Sequence, residues 1–300
     1  MTEIIQAFIS SYIEDVFKNF KQKEAQWCNL QNFDLHTTSY EDKLNQEYYL
    51  LKYFPAYFTE YYNALGKFFK DYKKNSLKVI SIGCGAGIDF YALQLYITTN
   101  GLNIELDYTC IDIIDWNYKP NEKNFNFIHA DINDIKDNIF DDVDLIIFPK
   151  ILTELDSNTI KHIISLLESS SLKDELYFLN SYITDDSHSK QIDGIKQFAK
   201  ICNALQAQQY VIDNSANFGF NKHKQISCLS YAYLREHQGL RAIFKFFIYP
   251  QEILDILSEL EKNCNYAQES IECSQCNIGT FPMMNTKYIA YLVIKFNNDN

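Results

Sequence analysis

The feature that most constrains this chain is a β-type apolar run that ends in three glycines at alternate positions. Residues 78–87 read KVISIGCGAG. A strand with apolar residues on both faces is typical of a buried parallel sheet. Residues 88–95 then carry apolar side chains at helical spacing. The sequence therefore predicts a strand, a glycine turn and a helix.

The spacing of these glycines indicates a nucleotide-like cofactor. Glycines permit positive φ and leave no Cβ between the backbone and a ligand, and the first amides of the following helix point at that ligand. The dinucleotide fingerprint G-x-G-x-x-G would need glycine at position 88, where this chain has Ile88. A nicotinamide-dependent enzyme is therefore disfavoured, although it stays open as a third alternative.

The order G-x-G-x-G after a first strand resembles the class I S-adenosylmethionine-dependent methyltransferases, and the resemblance extends over roughly residues 75–215. It implies a doubly wound, mainly parallel, seven-stranded Rossmann-like sheet. It also implies S-adenosyl-L-methionine as cofactor and S-adenosyl-L-homocysteine as product. The family usually has an acidic residue two places before the first glycine, where this chain has Ser81. Asp89, just past the glycines, is the candidate to take over part of that role.

Each of the next two predicted strands, 104–112 and 125–131, ends in an aspartate. Asp112 ends the first of them, where a carboxylate can accept hydrogen bonds from both ribose hydroxyls; the alternative is an aspartate that caps a loop. The resemblance assigns the adenine contacts to Asp131 and Ile132. The predicted cofactor-binding residues are Gly83, Cys84, Gly85, Gly87, Asp89, Asp112, Ile113, Asp131, Ile132 and Pro149.

The segment after the fourth predicted strand, 143–148, carries the candidate catalytic residues. In the resembled family this segment faces the methyl group and the acceptor, which points to Lys150 and Glu154. Glu154 could accept a proton from a nucleophile, but a glutamate near a helix start also interacts favourably with the helix dipole. The Asn/Asp-Pro-Pro-Tyr/Phe signature is absent here, which disfavours a DNA adenine methylase.

Two amphipathic, aromatic-rich segments precede the glycine strand. Residues 1–25 show helical apolar spacing, and residues 47–70 predict two helices or one helix kinked at Pro55. In the resembled family such helices cover the cofactor site, which makes Tyr53, Tyr57 and Tyr61 candidates for the substrate pocket. The alternative is that these aromatic residues are simply core and helix–helix contacts.

Composition restricts the partners. A formal charge of −12 disfavours nucleic acid, which needs clustered Lys and Arg. The chain has neither a leader-like segment nor a run of about 18 uncharged apolar residues. We therefore expect a cytoplasmic protein without membrane association, whose eight cysteines are reduced thiols. Cys273 and Cys276 with Cys264 supply only part of a zinc site, so no metal is predicted and zinc stays an alternative.

The expected organisation has four parts. They are an N-terminal helical lid (1–74), a Rossmann-like cofactor-binding core (75–213), an insertion that shapes the acceptor site (214–286), and a final core strand with a tail (287–300). The predicted function is S-adenosylmethionine-dependent methyl transfer, by in-line displacement, to a small-molecule or protein acceptor. The alternatives are a ribosome-associated RNA methyltransferase and a catalytically silent binding protein of the same fold. The oligomeric state stays open.

Overall fold

The computed structural model describes residues 2–20, 39–136, 138–183, 189–208, 210–212, 232–235, 251–263 and 288–298. Strands and helices alternate along much of the chain, as the sequence predicts. In chain order the elements are α1 (Thr2–Phe20), α2 (Lys43–Asp71), β1 (Ser76–Ile82), α3 (Ile88–Thr99), β2 (Glu105–Asp112), β3 (Phe125–His129), β4 (Leu145–Pro149), α4 (Ser157–Ser169), β5 (Glu175–Ile183), α5 (Ser189–Ala207), β6 (Tyr210–Ile212), β7 (Ala232–Arg235), α6 (Gln251–Asn263) and β8 (Tyr288–Asn298).

Seven strands form one continuous sheet in the order β3-β2-β1-β4-β5-β8-β6, and β7 pairs with β8 beside that path. The pairings from β3 through β5 are all parallel. β8 runs antiparallel to both β5 and β6. The predicted mainly parallel, doubly wound sheet is therefore confirmed, with eight strands among the described residues instead of the seven predicted. Its order reverses at β1 and β4, so the carboxyl ends of these two strands mark the place where such sheets bind ligands.

Both faces of the sheet are covered, which explains the unbroken apolar runs of its strands. Ile146 and Phe148 of β4 belong to the core that α4 and α5 cover on one face. On the opposite face Tyr177 of β5 meets Phe68 of α2, with ring centroids 5.0 Å apart. Asp156 is the N-cap of α4, where its side chain accepts hydrogen bonds from the backbone amides of residues 158 and 159.

α2 is one continuous helix with Pro55 inside it, rather than two helices. The chain divides into two compact units, and this helix contributes to both. Among the described residues, one unit holds α1, the first half of α2, residues 116–118 and α6. In that unit Gln46 accepts hydrogen bonds from the backbone and side-chain nitrogens of Asn117, and Tyr118 donates one to Glu47. The second unit holds the sheet with α3, α4, α5 and the rest of α2.

The predicted late strand is confirmed as β8, which enters the sheet between β5 and β6. The predicted insertion, 214–286, lies mostly outside the described residues, apart from β7 and α6. The predicted domain boundaries therefore stay a prediction. None of the described helices is both long and apolar enough to cross a membrane.

Charged side chains join α2, β5 and β8 in the second unit. Glu175, at the start of β5, receives Lys295 at 2.8 Å and Lys74 at 3.1 Å. Lys295 also lies 3.2 Å from Asp71. The hydrogen bond from Lys295, and then that from Lys74, lowers the pKa of Glu175 against the opposing effect of burial.

We predict that Glu175→Gln lowers the free energy of unfolding at pH 7 by less than about 1 kcal/mol, because the side chain is 39% exposed. A carboxylate whose pKa is lowered in the folded state stabilises the fold above its unfolded pKa, about 4.3, and loses that contribution as the pH falls. Urea unfolding at pH 7 and pH 3 should show the difference from the parent shrinking towards zero. An equal difference at both pH values would contradict this assignment.

Candidate functional site

The glycine turn after β1 has the conformation that its sequence predicts. Gly83, Gly85 and Gly87 have φ of 70°, 58° and 71°, all in the left-handed region that other residues rarely adopt. Gly87 is the N-cap of α3. The turn therefore leads directly from the carboxyl end of β1 into the amino end of a helix, where backbone amides face outward.

At two of these glycines the missing Cβ makes room for protein rather than for a ligand. A Cβ on Gly83 would lie 2.7 Å from Cγ1 of Ile151, and one on Gly87 would lie 2.8 Å from Cδ of Pro120. The glycine pattern by itself predicts close approach of a ligand. The structure adds a second reason, which is that the segments after β4 and β2 pack directly on the turn.

Asp112 ties the turn to β2. Its Oδ2 accepts a hydrogen bond of 2.7 Å from the backbone N–H of Gly85, and its Oδ1 accepts one of 2.8 Å from the backbone N–H of Ile114. Two backbone donors are the partners expected of a loop-capping aspartate. A carboxylate oxygen can accept more than one hydrogen bond, so these contacts leave ribose binding by Asp112 as a prediction.

The other residues predicted to surround an adenosyl group lie at the same edge of the sheet. Asp112 pairs with His129 in the parallel β2–β3 register, and Asp131 follows two residues later. Among the described residues, only Oδ1 of Asp131 is hydrogen-bonded, to the backbone and side-chain nitrogens of Asn133. Ile113 is 61% exposed, whereas Ile132 is buried. An exposed isoleucine between two strand-end acids offers a ligand an apolar surface.

A buried carboxyl group lies beneath the turn. Asp89 is 1% exposed, and its Oδ2 accepts hydrogen bonds from the Ser81 hydroxyl at 2.6 Å and the Tyr108 hydroxyl at 2.5 Å. Its Oδ1 is buried and has no hydrogen-bond partner in the part of the chain that the structure describes. Burial raises the pKa of Asp89, and the two hydroxyl donors oppose that rise. Asp89 thus brings a carboxyl group to Ser81, the position where the resembled family has its acid.

The two candidate catalytic residues after β4 lie in different environments. Glu154 is exposed on the turn that precedes α4. Lys150 is buried, and its ammonium group donates to Glu60 of α2 and, at 2.5 Å, to the Ser181 hydroxyl of β5. Pro149, directly before Lys150, is the half-buried last residue of β4.

Sequence reasoning missed Glu60 and Ser181, which lie 90 and 31 residues from Lys150 along the chain. One signal for Glu60 was present, because it is a charged residue on the apolar face of an aromatic-rich helix. No comparable signal marks Ser181, whose role depends on the parallel pairing of β4 with β5.

The three tyrosines proposed for a substrate pocket are all buried. Tyr53 and Tyr57 stack on each other with ring centroids 5.6 Å apart, and Tyr49 contacts both rings. Tyr61, in the second unit, lies under the Lys150 ammonium group at 5.6 Å. These contacts are typical of residues in a helical core, which is the alternative interpretation given for these tyrosines. Their role in a substrate pocket stays a prediction.

Cys84 in the turn is joined to Cys110 of β2. They form a disulfide, and their Cα atoms lie 5.8 Å apart, within the range that such a bond spans. This pair departs from the expectation that the cysteines are reduced thiols, because the parallel pairing of β1 with β2 brings the two residues together. The bond adds a second tie between the turn and β2, two residues before Asp112.

No cluster of three or more His, Cys, Asp or Glu side chains suited to a metal ion occurs within the described ranges. Cys264, Cys273 and Cys276, the cysteines considered for zinc, lie outside those ranges.

No protein-family model matches the chain, and no curated protein matches it. Among solved structures it is similar to the plantazolicin methyltransferase BpumL in complex with SAH, at 16% identity and a TM-score of 0.43, over 94% of this chain and 99% of that one. It is also similar to a putative methyltransferase from Bacillus halodurans, at 8% identity and a TM-score of 0.40, over 79% and 99%. A third is the YcgJ protein from Bacillus subtilis, at 13% identity and a TM-score of 0.38, over 79% and 99%.

We predict that Gly83→Ala destabilises the protein more than Gly101→Ala does. Both glycines have positive φ, so each alanine adds backbone strain of about 1–2 kcal/mol. Only at Gly83 does the new Cβ also meet a packed side chain, since a Cβ on Gly101 has no heavy atom within 4 Å. Chemical denaturation of the two variants measures the difference. Equal losses would show that Ile151 does not pack tightly on the turn.

We predict that Cys84 and Cys110 are recovered as a linked peptide pair when the protein is alkylated under denaturing conditions without reductant. Reduction before alkylation should separate the same two peptides, because thiol–disulfide exchange breaks the bond. Mass spectrometry of the digest measures both states. Full alkylation of both residues before reduction would contradict the assigned bond.

Proposed function

We propose that this protein is an S-adenosylmethionine-dependent methyltransferase acting on a small-molecule or protein acceptor by in-line transfer. One observation carries the proposal: the glycine turn after β1 is hydrogen-bonded to Asp112 at the carboxyl edge of the sheet. That edge adjoins the point where strand order reverses, which is the ligand-binding place of open α/β sheets.

The residues of this edge fit an adenosyl cofactor. The Asp112 carboxylate suits ribose hydroxyls, the exposed Ile113 side chain suits one face of an adenine ring, and Oδ2 of Asp131 suits an exocyclic amino group. The amino end of α3 adds outward backbone amides. Asp89, whose buried carboxyl group lies beneath them, stays in the proposed site as the counterpart of the acid that is usual before the glycines. The proposed cofactor is S-adenosyl-L-methionine, with S-adenosyl-L-homocysteine as product.

Methyl transfer requires mainly that the protein aligns the methyl donor with the acceptor. When bound, the cofactor supplies a methyl group on a positively charged sulfur that leaves without protonation. The turn, Asp112 and the segment after β4 then hold donor and acceptor in line and exclude water. A general base is needed only for an acceptor that carries a proton. Glu154, being exposed, is the proposed base for such an acceptor, and Lys150 the proposed second polar group of the acceptor side.

The acceptor class rests on charge and on aromatic content. A net charge of −12 disfavours extended phosphate backbones, which places RNA behind small molecules and proteins. The proposed acceptor pocket involves Tyr53, Tyr57 and Tyr61.

A catalytically silent binding protein is the second candidate. It is favoured by Ser81, which stands at the position where the resembled family has its acid. The Asp89 carboxyl group beside Ser81 weighs against it.

We predict that the parent protein binds S-adenosyl-L-homocysteine and that Asp112→Ala weakens binding at least about tenfold, because hydrogen bonds to a charged group contribute about 1.5–3 kcal/mol each. Gly85→Val should weaken it as well, since valine opposes a φ of 58°. Asp107→Ala, an exposed aspartate on the same strand, is the matched control and should bind as the parent does.

Isothermal titration with S-adenosyl-L-methionine and with S-adenosyl-L-homocysteine measures these affinities. Absence of heat with both ligands would overturn the methyltransferase proposal and leave the silent binding protein. Parent-like affinity of Asp112→Ala would remove Asp112 from the cofactor site while leaving the proposed activity standing.

A further inference from the structure

Glu60, Lys150 and Ser181 form a closed ring of hydrogen bonds inside the second unit. Lys150 donates to Oε2 of Glu60 and to the Ser181 hydroxyl, and that hydroxyl donates to Oε1 of Glu60 at 2.5 Å. Glu60 and Ser181 are both 0% exposed. The ring therefore joins α2 to the carboxyl ends of β4 and β5 through a buried charge pair.

The stability of the folded protein does not by itself explain such a pair. Burial lowers the pKa of Lys150 and raises that of Glu60, in each case against the attraction of the other. Buried charge pairs are often no more stabilising than apolar residues of similar volume, whereas they can fix one particular arrangement of the chain. This ring fixes the positions of α2, β5 and the segment after β4 relative to one another.

The ring holds a strained residue in place. Lys150 has a φ of 65°, an uncommon conformation for a residue with a side chain, and it comes directly after the last residue of β4. Its backbone N–H also donates to the carbonyl oxygen of Ser181 at 3.0 Å. Backbone strain of this kind persists where surrounding contacts over-determine it, and it clusters at ligand sites.

The strained residue is linked directly to the glycine turn. Ile151 follows Lys150 and packs on Gly83 so closely that a Cβ there would lie 2.7 Å away. A continuous path of contacts thus runs from Glu60 through Lys150 and Ile151 to the first glycine of the turn. Because closely packed side chains transmit displacements, a change in the ring reaches the turn through Ile151.

We infer that Glu60 is a positioning residue for the cofactor turn, acting through Lys150 and Ile151. The inference rests on the proposed function in its claim about cofactor affinity. Glu60 contacts no reacting atom in this account, and its effect is to hold the segment after β4 against the glycines. An apolar pair in place of Glu60 and Lys150 fills the space without fixing that segment.

The test compares Glu60→Gln with the double variant Glu60→Leu/Lys150→Met and with Asp193→Asn. Asp193 lies in an exposed i,i+3 pair with Lys196 of the same unit, so it controls for loss of a carboxylate. Glu60→Gln leaves Lys150 buried without its counter-charge, and the double variant removes both charges. The measurements are urea unfolding, affinity for S-adenosyl-L-homocysteine, and hydrogen exchange of residues 83–87.

We expect Glu60→Gln to weaken S-adenosyl-L-homocysteine binding at least tenfold and to speed hydrogen exchange at 83–87. The double variant should recover parent-like unfolding while its affinity stays at least tenfold reduced, because stability returns and position does not. Recovery of both properties together would overturn the inference and make the ring a purely structural pair. Parent-like affinity and exchange in Glu60→Gln would overturn it as well.

The hydrogen-exchange arm separates this inference from the proposed function. If the parent protein binds neither S-adenosyl-L-methionine nor its product, the proposed function fails. Faster exchange at 83–87 in the double variant than in Asp193→Asn still supports the positioning role. Equal exchange in those two variants overturns it.

Discussion

The hydrogen bond from Gly85 N–H to the Asp112 carboxylate is the interaction on which the site depends. It closes a turn of three left-handed glycines onto the neighbouring strand, at a length of 2.7 Å. Parallel pairing of β1 with β2 brings the two groups within reach, because it aligns the carboxyl ends of both strands. Asp131 and the Lys150 segment belong to the same edge for the same reason. Without a parallel sheet these residues, which are far apart in the sequence, would not meet at one edge.

Two sets of buried, hydrogen-bonded polar groups lie next to this turn. Asp89 lies beneath it with two hydroxyl donors, and Lys150 lies beside it in a ring with Glu60 and Ser181. Each group is costly to bury unless it is paired, so each restricts its neighbours to one arrangement. The apolar core fixes the sheet, whereas these polar pairs fix the turn relative to the strands that flank it.

The elements of the sheet could be predicted from the sequence because their signals are local. The apolar runs, the alternate glycines and the acids at strand ends each form a pattern over a few neighbouring residues. The sequence of β8 is likewise a β-type run that predicts a strand. The ring around Lys150 could not be found in this way, since its members come from α2, β4 and β5 and meet only in the folded chain. Tyr108 was equally hidden, because a tyrosine in an apolar strand looks like core. Pro55 left two helices or one kinked helix open, and the structure has one helix. The loss of one backbone donor did not break a helix whose apolar face is so extensively buried.

The position of β8 in the sheet also bears on how the chain assembles. Residues 288–298 are hydrogen-bonded to β5 along one edge and to β6 and β7 along the other. Until this last segment has been synthesised, the outer edge of β5 lacks its strand, and β6 has nothing to join. Exposed strand edges recruit other chains. A nascent protein of this topology therefore presents an unpaired strand edge to other chains during the interval between the synthesis of β5 and the synthesis of β8.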